Sequence, residues 1–115
     1  MGGPASDDSN FLLAVDLAGA QPVVRLSGEV DMATSAAVKS SLADLAEGGH
    51  LAVVVDLSEV TFIDSSGLHV LLDAQRRLSK NGGKVVLRKP APAVDRILQI
   101  SGLCDVFPME EGTAG

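Results

Sequence analysis

Residues 64–67 read Asp64-Ser65-Ser66-Gly67 and gather one carboxylate and two hydroxyls just ahead of an apolar stretch that starts at Leu68. At a helix start, an aspartate or serine side chain accepts hydrogen bonds from backbone amides that have no partner within the helix. A second chemistry is open to the same residues. A hydroxyl on this turn can take a phosphate, whose oxygens would meet free N–H groups and the positive end of the helix dipole. Capping is the commoner use of such residues, and the two are compatible, with Ser65 or Asp64 capping and Ser66 modified. Glu29 and Asp31 form a second acidic pair. Asp31 is placed to cap a first helix, and Glu29 to face solvent at a strand end.

Other reactive side chains offer less. His69 follows the serines, but no nucleophile, base and orienting residue stand in a recognisable order, so an Asp64/Ser66/His69 hydrolase is the weakest candidate. His50 and His69 are the only histidines and lack ligand spacing, and the single Cys104 cannot build a thiolate site. No metal and no cofactor are therefore expected. Cys104, among Leu103, Val106 and Phe107, reads as a small buried hydrophobe, with redox sensing as the alternative. Asn81-Gly82-Gly83 reads as a helix stop and not as a phosphate cradle.

The elements that position these groups follow from periodicity. Phe11 to Leu17 and Val23 to Val30 read as two strands joined by a Gly-Ala-Gln-Pro turn, hence an antiparallel hairpin. Val38, Leu42 and Leu45 recur at helical spacing between Ala33 and Glu47, and Gly48-Gly49 ends that helix. The unbroken apolar run Leu51 to Val55 predicts the central strand. Asp56 is expected to satisfy the turn after it, and Ser58 to Asp64 to form a loop. Leu68, Leu71, Leu72 and Leu78 define a second helix, with Arg76 and Arg77 in its last turns. Lys84 to Arg88 predicts a strand, Val94, Ile97 and Leu98 a third helix, and Asp105 to Phe107 a last short strand. The fold class is α/β, a single domain with a mixed, mostly parallel sheet whose first strand is antiparallel to the second. Residues 1–9 read as a disordered tail, 10–108 as the domain, and 109–115 as a frayed end.

Composition narrows the function. The chain has 115 residues, 46% of them hydrophobic, which suits one core. Its net charge of −6 argues against nucleic acid as a partner. No apolar stretch approaches the roughly 20 residues of a membrane-spanning helix, and Met1 to Asn10 lack the features of a secretory signal, so a cytoplasmic location is expected.

Three motifs in register carry a resemblance. Leu26-Ser-Gly-Glu-Val-Asp31 precedes the first helix. Val54-Val-Asp-Leu57 is followed by Val60-Thr-Phe-Ile-Asp-Ser-Ser-Gly-Leu68, and Ile100-Ser-Gly-Leu-Cys-Asp-Val-Phe107 follows the third helix. Over about residues 10 to 108 the chain resembles the STAS-domain family, specifically the bacterial anti-sigma-factor antagonists. The resemblance implies a partner-switching protein and not an enzyme. Its unmodified form would bind an anti-sigma factor that is also a serine kinase of the histidine-kinase-like ATPase fold, freeing the sigma factor. Phosphorylation of Ser66 would end that binding, and a serine phosphatase would restore it. It further implies a partner-binding surface of Asp31, Asp64, Ser65, Ser66 and Gly67. Met32-Ala33-Thr34 departs from a branch of the family that carries histidines before the threonine. The alternative keeps the fold as an adaptor in a stressosome-like or lipid- or anion-transport complex without a sigma-factor partner.

Overall fold

Val24 and Leu26 fall two apart at the start of Val23–Val30 and are buried, and Leu12–Asp16 pairs alongside with only Leu13 and Asp16 half-buried. In the computed structural model, which describes residues 11–110, these form an antiparallel pair, β1 (Leu12–Asp16) and β2 (Val23–Val30), with Leu13 opposite Leu26 and Val15 opposite Val24. Asp16 closes the hairpin: it accepts from the Ala18 N–H at 2.9 Å and meets Arg25 at 3.4 Å. The Ala18 amide first, and then the Arg25 guanidinium, hold its carboxyl below the usual range.

The remaining elements run α1 (Met32–Glu47), β3 (Ala52–Ile63), α2 (Ser65–Ser79), β4 (Lys84–Arg88), α3 (Pro92–Ile100), a 3-10 turn (Leu103–Asp105) and β5 (Met109–Glu110). The sheet has five strands in the order β1-β2-β3-β4-β5, parallel throughout except for the first pair. The expected central strand is thus central, and the expected mixed sheet is observed. Successive parallel crossovers of one hand in an unreversed strand order place their helices on one face. Side chains from all three helices, among them Val38, Leu42, Leu71, Val94 and Leu98, accordingly share one core cluster with Val53, Val55 and Leu57 of β3. Val54 points away from that cluster yet is only 2% exposed, between its register partners Val23 and Val86.

Two expectations are corrected. Ser58 to Asp64 is not a loop: β3 continues to Ile63, and its alternation is broken by two bulges against β2. Arg25 and Ser27 face Asp56 and Glu59, and Gly28 and Glu29 face Val60 and Phe62, so β3 carries an extra residue at each place. Each extra residue flips the inward parity, and the core positions run Val55, Leu57, Val60 and Ile63. Asp56 holds the first bulge, accepting from the Ser58 N–H at 2.9 Å and hydroxyl at 2.7 Å. Its expected turn chemistry therefore acts inside a strand. The second correction lies at the C-terminus. Leu103–Asp105 forms a 3-10 turn where a strand over 105–107 was expected, and Met109–Glu110, expected to be frayed, pairs with Leu87 and Arg88. The tail at 1–9 and the end at 111–115 lie outside the described residues, as does the Cys104 side chain.

Candidate functional site

β2 and β3 end side by side. Val30 pairs with Ile63, and each strand passes directly into a helix cap, Asp31 for α1 and Asp64 for α2. The Asp64 N–H donates to the Val30 carbonyl at 3.1 Å, joining the two turns. β4 pairs with β3 only as far as Arg88 opposite Asp56. Residues 57–63 therefore run beyond it by on the order of 20 Å, and the two caps stand at the tip of a β2–β3 ribbon.

Asp31 caps α1 as the sequence predicts, accepting from the Ala33 and Thr34 N–H groups at 3.0 and 3.1 Å. A residue not singled out from the sequence completes this cap. The buried Thr34 hydroxyl oxygen accepts from the Asp31 N–H at 2.9 Å, and the hydroxyl donates to the Glu29 carbonyl at 2.9 Å. The signal was present, because Asp31 and Thr34 have the spacing of a capping box. Glu29 faces solvent, as expected.

At the second turn the cap is Asp64 alone. Its Oδ1 accepts from the Ser66 N–H at 2.8 Å and the Gly67 N–H at 3.2 Å. Of the two candidates, Ser65 and Asp64, the cap is Asp64: Ser65 is the first helical residue and is exposed. An aspartate one residue earlier already has the extended backbone and reach that a cap requires. Two amides that the sequence left free for a phosphate are consequently already bonded by a carboxylate. Ser66, the second helical residue, is half-buried.

Gly67 is buried rather than presented at the surface. A Cβ there would stand 2.7 Å from Ile63 Cγ1 and 2.8 Å from Val30 Cγ1, well inside van der Waals contact. The absence of a side chain lets α2 begin directly on the ends of both strands, and this fixes where Ser65 and Ser66 emerge. His69 is exposed one turn further on. Gln75, also unnoticed in the sequence, anchors the far half of α2: its Oε1 accepts from the Val85 N–H at 2.6 Å and its Nε2 donates to the Val106 carbonyl at 3.1 Å. The structure thus brings Asp31, Asp64, Ser65, Ser66 and Gly67 to one end of the sheet. Among the described residues no group of three potential metal ligands occurs, and no helix is long and apolar enough to cross a membrane.

Comparison with known proteins agrees with this geometry. A family model for the STAS domain matches residues 14–114. An anti-sigma F factor antagonist of Paenibacillus polymyxa is 34% identical over 88 residues, covering 76% of this chain and 75% of that protein. The crystal structure of an anti-sigma factor antagonist from Mycobacterium paratuberculosis superposes with a TM-score of 0.79 at 31% identity, covering 88% of this chain and 86% of that one. The phosphorylated form of the Bacillus cell fate determinant SpoIIAA shares the fold, with a TM-score of 0.70 at 24% identity and coverage of 90% and 96%.

Proposed function

The chain belongs to the STAS domain family, and from that premise we propose that it is an anti-sigma-factor antagonist whose partner binding is switched by phosphorylation of Ser66. The observation that carries the reading is the setting of Ser66: half-exposed in the first turn of α2, beside an aspartate that already holds the local amides. The unmodified tip, with Asp31, Asp64, Ser65 and Ser66 at its end and Gly67 beneath them, binds an anti-sigma factor and so frees a sigma factor. That partner is also the serine kinase, of the histidine-kinase-like ATPase fold, and a serine phosphatase resets the switch. The role requires no catalytic group, metal or cofactor of the chain's own, and its setting is the cytoplasm.

The chemistry of the switch is charge. A phosphoserine carries about −1.5 to −2 at neutral pH. With the Ser66 and Gly67 amides bonded to Asp64, the new dianion either stands against that carboxylate or displaces it from the cap. In both cases the tip presents unmatched negative charge to a surface shaped for a hydroxyl. Incubation with the cognate kinase and Mg-ATP, followed by peptide mapping, should find a single phosphate on Ser66. A phosphate on Ser65 or Thr61 alone contradicts the assignment.

A further inference from the structure

Two large apolar side chains stand exposed where the acidic caps meet. Met32, the first residue of α1, is 78% exposed, and Phe62, opposite Glu29 in the register and one residue before the end of β3, is 46% exposed. The second bulge of β3 accounts for Phe62: Val60 and Ile63 take the core positions on either side of it, so its ring faces outward with Glu29. Neither side chain contributes to the buried core, since both are exposed and lie outside the core cluster.

The sequence on either side of each carries charge of one sign. The two segments that build the tip, 26–38 and 57–72, carry Glu29, Asp31, Glu59 and Asp64 and contain no lysine or arginine. We infer that Met32 and Phe62 are the apolar anchors of the partner footprint, seated in an apolar socket on an electropositive face of the anti-sigma factor. This rests on the proposed function and adds to it the residues that select the partner. Acidic groups at such an interface steer encounter and exclude acidic partners, whereas desolvated apolar anchors hold the complex. A methionine suits the role because its flexible thioether adapts to a socket, and methionine is enriched at interfaces. The chain has no tryptophan or tyrosine and only three phenylalanines, so an exposed Phe62 four residues before Ser66 in the sequence is a scarce anchor.

The test is calorimetric titration of the full chain against the host's purified anti-sigma factor, at about 50 and 300 mM salt. Met32→Ala and Phe62→Ala should each weaken binding about tenfold or more at both salt concentrations. Leu12→Ala, which removes an exposed apolar side chain from β1, should change it less than about twofold. Wild-type binding should weaken with salt. Thermal unfolding of each variant accompanies the titration, and if Phe62→Ala lowers the midpoint, Met32→Ala decides alone. Binding of Met32→Ala within about twofold of wild type, with Ser66 still phosphorylated, overturns the anchor role and leaves the proposed function standing. Absence of wild-type binding to every anti-sigma factor of the host overturns the proposed function and this inference with it.

Discussion

Asp64 and Ser65 are neighbours with similar capping chemistry, and the backbone decides between them: Asp64 is extended and accepts two amides, whereas Ser65 is already helical. Asp64→Ala should therefore cost about 0.5–2 kcal/mol of stability, against less than about 0.5 for Ser65→Ala, as read from urea midpoints. Equal effects would mean that the serine shares the cap. Thr34 makes a sharper case, since its hydroxyl bonds both the Asp31 N–H and the Glu29 carbonyl. Thr34→Val keeps the shape and strands both groups, so a loss of about 1–3 kcal/mol is expected. An unchanged midpoint would show that water replaces the hydroxyl. Both caps were legible from residue type, Asp31 directly and Asp64 as one of two candidates. Gln75 was not, because nothing local marks a glutamine whose partners, Val85 and Val106, lie 10 and 31 residues away.

At the scale of elements, strict periodicities were readable and broken ones were not. Val23 to Val30 and the Leu51 to Val55 run announced their strands, as the leucines of α2 announced their helix. The second half of β3 hid because two bulges place its core residues at Leu57, Val60 and Ile63, a spacing of three that matches neither alternation nor an extended helix. The short β5 hid because two residues carry no pattern. Close approach is equally silent in sequence: Gly67 sits against Val30 and Ile63, and Gly83 against the Leu51 backbone, where Lys84 pairs at 2.8 Å. Gly67→Ala should cost about 1–3 kcal/mol through overpacking and slow phosphorylation of Ser66 by displacing the start of α2. Denaturation and a kinase time course measure the two effects. Unaltered stability together with an unaltered rate would show that the strand ends yield freely.

For the whole molecule, β3 ties the helical core to the functional tip. Val54 lies at the middle of the sheet with almost no exposure, so Val54→Asp buries an unpaired charge costing several kcal/mol against a total stability of about 5–15. Loss of the cooperative thermal transition is expected, and a wild-type transition would mean that the open face of the sheet is wetter than its register partners imply. The acceptor turn, by contrast, opens α2 at the end of the sheet with Ser65 exposed and Ser66 half-buried, so its charge can change while the core side chains beneath it, Val30 and Ile63, stay packed. Switching is therefore separate from folding. The most direct measurement is calorimetric titration of unmodified and Ser66-phosphorylated protein against the cognate anti-sigma factor, with circular dichroism of both forms. Phosphorylation should weaken binding by two to three orders of magnitude, equivalent to ~3–4 kcal/mol, with the folded spectrum retained. Equal affinities for the two forms, or a phosphorylated form that has melted, would contradict the account.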